Sequence, residues 1–220
     1  MPIHAVLEPL KAALSATNAV VLAAPPGAGK TTVVPLALLD QSWLGDQKVL
    51  ALEPRRLAAR AAADRMAASL GQKAGGIVGY RTRLQSRIGP DTRIEVVTEG
   101  VFTRMILEDP MLEGVGAVLF DEFHERSLDA DLGLALARES QSVLRDDLRL
   151  VVMSATLDIA GVSKLLDGAP VIEAEGRMFP VETHYLGRNV AERFEDAVAR
   201  AVMQALGDQT GSGLVFLPGQ

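Results

Sequence analysis

Short runs of apolar, largely β-branched residues punctuate the chain at Val20–Ala23, Val49–Leu52, Ile94–Thr98, Val118–Phe120, Leu150–Met153 and Val171–Ile172. Helix-compatible segments such as Leu57–Leu70 and Asp129–Leu144 lie between several of them. A strand that is apolar throughout has to be covered on both faces, and a parallel neighbour is reached only through a crossover, usually a helix. The alternation therefore predicts an α/β fold, a mostly parallel sheet with helices on both faces. A hydrophobic content of 48% in 220 residues supplies the core for it.

The chain has no cysteine, which excludes disulfide frameworks and cysteine-based zinc sites and fits a reducing compartment. His4, His124 and His184 are too few for a histidine-rich metal cluster. No segment approaches the roughly 20 apolar residues of a membrane span. The N-terminus also lacks a signal-peptide pattern. A cytoplasmic location is expected, with no membrane partner.

Beyond residue 174 the character changes. Residues 175–190 contain Gly176, Pro180 and Gly187 and read as an extended connector. Phe194, Val198, Val202 and Leu206 then form one apolar stripe of a helix ending near Gly207, and Leu214–Leu217 reads as a fresh strand without partners. The expected organisation is one domain over residues 1–174, a connector over 175–190, and the truncated start of a second domain over 191–220.

The first run leads into Ala24-Pro25-Pro26-Gly27-Ala28-Gly29-Lys30-Thr31, followed by Thr32 and a helix-compatible Val33–Leu39. This is a phosphate-binding loop with Ala24 where a glycine is usual. Gly27 and Gly29 let the backbone curl until its N–H groups face phosphate oxygens. Lys30 is placed to reach the β- and γ-phosphates of an NTP, and the Thr31 hydroxyl to ligate Mg²⁺. The plain alternative is a Gly/Pro turn with a solvated lysine.

A second constellation follows the run ending at Phe120. Asp121 and Glu122 stand where a buried strand meets the ligand-binding edge of such a sheet. Asp121 is the candidate Mg²⁺ residue, and Glu122 is placed to orient and deprotonate an attacking water. Taken alone, an acid pair there also serves as a helix-start signal.

Asp121-Glu122-Phe123-His124, continued by Glu125-Arg126-Ser127, resembles the box that names the DEAH-box RNA helicases of superfamily 2, with Phe123 in place of alanine. The segment from Glu53 to Ala59 resembles their motif Ia. Thr98-Glu99-Gly100 with Arg104 resembles motif Ib, and Ser154-Ala155-Thr156 is motif III. Within that group the wording is most similar to the bacterial HrpB type.

The resemblance implies a RecA-like P-loop NTPase domain, the first ATPase domain of an ATP-dependent RNA helicase, using ATP or another NTP with Mg²⁺. It implies that His124, Ser154 and Thr156 couple hydrolysis to motion. It implies that Arg65 stacks on the nucleotide base, and that Arg55, Arg56, Arg81, Thr98 and Arg104 line the RNA backbone, with Arg83 extending the groove. The net charge of −6 requires that groove to be local. A C-terminal helicase domain is the missing partner, and a monomer is expected.

Motifs V and VI of the family are absent from these residues. The chain is therefore expected to bind nucleotide, hydrolyse it slowly and not unwind. On the residues alone, a different P-loop phosphotransferase and a nucleotide-dependent RNA-binding module without turnover stay open. So does DNA in place of RNA, because arginines that track a backbone do not read base identity.

Overall fold

A computed structural model describes residues 1–155, 159–175, 181–187, 193–208 and 210–217. The chain divides into two compact units, Met1–Arg177 and Met178–Gln220.

In the first unit, eight strands form one sheet: β1 (Ala19–Ala23), β2 (Lys48–Glu53), β3 (Val78–Arg81), β4 (Ser86–Arg87), β5 (Ile94–Thr98), β6 (Val115–Phe120), β7 (Arg149–Ser154) and β8 (Val171–Glu173). Their order is β4-β3-β5-β2-β6-β7-β1-β8, parallel throughout except for the β3–β4 hairpin. This is the RecA-like P-loop fold that the alternation and the motifs lead one to expect. The order places β6 and β7 between β1 and β2, so two strands consecutive in sequence stand three places apart in the sheet.

Helices α1 (Leu7–Ala16), α2 (Lys30–Leu38), α3 (Arg56–Ser69), α4 (Glu99–Glu108), α5 (Leu128–Val143) and α6 (Ile159–Leu165) cover both faces. Side chains alternate along each strand, so one strand feeds two cores. On one face Val20, Leu22, Val49, Ala51, Leu119 and Val151 pack with Leu10, Leu14, Val34 and Met66 of the first three helices. On the other, Val21, Leu50, Leu52, Phe120 and Val152 pack with Phe102, Ile106 and Leu134. The edge-to-face pair of Phe102 and Phe120, with centroids 5.7 Å apart, anchors that second core.

The second unit contains α7 (Phe194–Asp208), the helix expected from the apolar stripe. Residues 212–217 take no regular secondary structure, so the strand expected at Leu214–Leu217 is not formed among the described residues. A strand exists only through hydrogen bonds to a neighbour, and no neighbouring strand is present among the described residues of this unit.

Among the described residues no helix is long and apolar enough to cross a membrane.

Candidate nucleotide and nucleic-acid site

Parallel pairing delivers the C-terminal ends of the strands to one edge of the sheet. Ala23 is in register with Ser154, Phe120 with both Val152 and Leu52, and Glu53 with Thr98. The phosphate loop, the acid pair, motif Ia, motif Ib and motif III therefore emerge side by side, at the edge where ligands bind in α/β sheets.

The loop leaves β1 with Ala24 buried, Pro25 and Pro26 on its outer bend and Ala28 buried beneath it. Gly27 (φ +73°) and Gly29 (φ +101°) adopt backbone angles that residues with a β-carbon avoid. Gly29 precedes α2, whose first residue is Lys30. This lysine is 3% exposed, and its ammonium donates to the carbonyls of Ala24 at 2.7 Å and Pro25 at 3.2 Å. Next to it the Thr31 hydroxyl donates to Oδ2 of Asp121. The other oxygen of Asp121 accepts the N–H of Glu122 at 2.8 Å.

A cavity of about 400 Å³ opens here, lined by Gly27, Lys30, Thr31, Thr32, Arg65 and Glu122 among others. Arg65, from α3, is exposed on its wall. Glu122 has φ +48°, a left-handed angle that costs a non-glycine residue about 1–3 kcal/mol and is concentrated at functional sites.

Glu53 was not singled out by sequence. It ends β2 beside Asp121, is buried, and lines the same cavity. Burial pushes its carboxyl up to about 8, helped by the charges of Asp121 and Glu122. Burial also raises Asp121, while its bonds from Thr31 and Glu122 oppose the rise. Two carboxyls this close, both removed from water, disfavour a second negative charge.

This concentration of hard oxygen donors suits a divalent cation. Among the described residues no group of three or more His, Cys, Asp and Glu side chains forms a complete metal cage. The adjoining Thr31 hydroxyl and Asp121 carboxylate fit Mg²⁺, which keeps waters and takes one or two protein ligands plus phosphate oxygens. Thr31 and Asp121 are the residues that would hold it.

His124 lies between two motifs. Its Nδ1 accepts the N–H of Ala155 at 3.3 Å, and its Nε2 stands 3.4 Å from Oε2 of Glu122. Ser154 is buried at the end of β7, whereas Thr156 lies outside the described residues.

A second cavity, of about 790 Å³, brings together Arg56, Arg81, Arg83, Thr98 and Arg104. Acids temper it. Arg81 pairs with the buried Glu95 at 2.7 Å and Arg104 with Glu108 at 2.8 Å. Among the described residues Arg56 and Arg83 make no ion pair, so they carry the local positive charge. Arg55 is not part of this groove. It lines the nucleotide cavity and forms a two-pronged pair with Glu125, at 2.9 and 3.0 Å.

The groove is also joined to the acid box through Ser127. Its hydroxyl donates to Glu99 at 2.5 Å and, as the N-cap of α5, accepts the N–H of Ala130 at 2.9 Å.

The family model described as "DEAD/DEAH box helicase" matches residues 7–165. The chain is 54% identical over 219 residues to the ATP-dependent RNA helicase HrpB of Escherichia coli, covering 100% of this chain and 27% of that protein. It is 31% identical over 227 residues to the ATP-dependent RNA helicase HrpA of the same organism, covering 100% of this chain and 17% of the relative. The crystal structure of the Escherichia coli DEAH/RHA helicase HrpB superposes with a TM-score of 0.93 at 54% identity, over 100% of this chain and 28% of that one. The chain thus spans about a quarter of the length of its HrpB-type relatives.

Proposed function

The chain belongs to the DEAD/DEAH box helicase family as an ATP-binding and hydrolysing domain of the HrpB type, and from that premise we propose that it drives movement on RNA by binding and hydrolysing NTP with Mg²⁺. The observation that carries the reading is the convergence of Lys30, Thr31 and Glu122 on one cavity at the C-terminal edge of the sheet, with the buried Asp121 bonded to Thr31 and to the N–H of Glu122.

In this reading the Lys30 ammonium exchanges the carbonyls of Ala24 and Pro25 for β- and γ-phosphate oxygens. Thr31 and Asp121 hold Mg²⁺, which supplies charge neutralisation on the phosphoryl oxygens when bound. Glu122 orients the attacking water and takes its proton. Arg65 stacks on the base from α3, a contact that tolerates any NTP.

His124, bonded to the backbone of Ala155, transmits the state of the acid box to motif III. Arg56, Arg81, Thr98 and Arg104 track the RNA backbone, and Arg83 extends the groove. Arg55, expected on the RNA backbone, lines the nucleotide cavity instead and in this reading helps to hold the nucleotide.

Phosphate release with ATP, Mg²⁺ and single-stranded RNA, compared between wild type and Glu122→Gln, tests the reading. Slow hydrolysis that disappears in Glu122→Gln while nucleotide binding persists supports it. Binding without turnover in both proteins makes the chain a nucleotide-dependent binding module instead. A phosphorylated small-molecule product makes it a phosphotransferase.

A further inference from the structure

The phosphate loop is packed from outside its motif by the first residues of the chain. A 3-10 turn, Pro2–Val6, precedes α1. Within it Ile3 is completely buried, although its neighbour His4 is exposed and Met1 is 71% exposed. One residue of a surface turn is thus driven inward, and what it meets is the loop. The Ile3 N–H donates to the carbonyl of Ala28 at 3.3 Å. A β-carbon on Gly29 would stand 2.7 Å from the Met1 sulfur and 3.2 Å from Cγ2 of Ile3. The turn therefore occupies the space that glycine leaves open.

Gly29 in turn starts α2, its carbonyl accepting the N–H groups of Thr32 at 3.3 Å and Val33 at 2.9 Å. Met1 lines the nucleotide cavity with Gly27, Gly29 and Lys30. It also lines an adjoining, mainly apolar groove of about 440 Å³ with Thr32, Leu36 and Arg65.

We propose that the N-terminal turn is a positioning element of the nucleotide site, in which Ile3 holds the phosphate loop in its anion-cradling shape and Met1 walls the cavity between the loop and Arg65. The inference rests on the nucleotide-binding reading above. A loop rich in glycine has unusual freedom to lose when a ligand fixes it. Contacts that order the loop beforehand lower that cost and appear as affinity. Ile3 supplies such a contact without touching the ligand.

The experiment is calorimetric binding of Mg²⁺–tripolyphosphate and of Mg²⁺–ATP to the 220-residue chain, to Ile3→Ala, to Ile3→Val and to Leu10→Ala. Leu10 belongs to the same core and is equally buried, but it lies on α1 and serves as the matched cavity. Circular dichroism confirms folding.

Positioning predicts that Ile3→Ala weakens both ligands by about tenfold, Ile3→Val by about two- to threefold, and Leu10→Ala hardly at all. The tripolyphosphate arm matters because loss there comes from the loop and not from the base. Equal affinities for Ile3→Ala and Leu10→Ala, or an unchanged affinity in Ile3→Val should Ile3→Ala not fold, overturn the proposal. If wild type binds neither ligand, the nucleotide reading itself fails and this inference goes with it.

Discussion

The hydroxyl of Thr31 donates to the carboxylate of Asp121 across a separation of 90 residues. That contact closes the phosphate loop onto the end of β6, and it exists because β6 and β7 are inserted between β1 and β2. With Oδ2 taken by Thr31 and Oδ1 by the N–H of Glu122, Asp121 is fixed before any ligand arrives. Pre-organisation of this kind is how a site limits reorganisation on binding.

The crowding beside Asp121 has a pH signature. Glu53 is raised from 4.5 to about 8 in the folded chain, so the native state binds its proton more tightly than the unfolded state. The stability this contributes is complete below pH 4.5 and is lost as pH rises through about 8. The raised Asp121 and Glu99 act with the same sign. Asp147, lowered by its bond to Arg145, acts the other way and only under acid conditions. The thermal midpoint without nucleotide or Mg²⁺ should therefore fall between pH 5 and pH 8, by about 2–4 °C for each kcal/mol. Glu53→Gln should flatten that slope, and an unchanged slope would refute the assignment.

His124 should matter for turnover and not for binding, because its contacts are to Ala155 and Glu122. In His124→Ala, nucleotide affinity should stay within about threefold while phosphate release at saturating nucleotide falls by about 10²-fold or more. A large loss of affinity would mean that His124 contacts the nucleotide in the ground state.

Two adjacent arginines should separate by function. Arg55 lines the nucleotide cavity and Arg56 the second groove. Arg55→Ala should weaken nucleotide binding by about three- to tenfold. Arg56→Ala should weaken single-stranded RNA binding and lower its salt slope by about 1. Fluorescence titrations at several salt concentrations distinguish the two. The exposed Arg55–Glu125 pair itself is worth only about 0–1 kcal/mol, so Glu125→Gln should leave the thermal midpoint almost unchanged.

Much of this was legible in the residues themselves. Val118–Phe120 followed by Asp121, and Val20–Ala23 followed by the glycine loop, announce strand ends that carry chemistry, because an apolar run stops where a charged group must reach the ligand edge. The neighbours of those ends were not legible. Nothing local in Glu53 says that β2 lies against β6, and only that adjacency turns a motif Ia residue into a buried acid beside Asp121. Leu7, Leu10 and Leu14 are spaced as a helix face, yet no spacing reveals that Ile3 ends against Ala28. Leu214–Leu217 shows the converse, a pattern apt for a strand that forms no ladder among the described residues. Arg55 and Arg56 are indistinguishable in sequence, and the start of α3 at Arg56 sends them into different cavities.

The most direct test is titration of a fluorescent ADP or ATP analogue, with and without Mg²⁺, into wild type, Lys30→Ala and Asp121→Ala. The account predicts saturable, Mg²⁺-dependent binding to wild type, its loss in Lys30→Ala, and binding insensitive to Mg²⁺ in Asp121→Ala. Full affinity in Lys30→Ala, or undiminished Mg²⁺ dependence in Asp121→Ala, would contradict it.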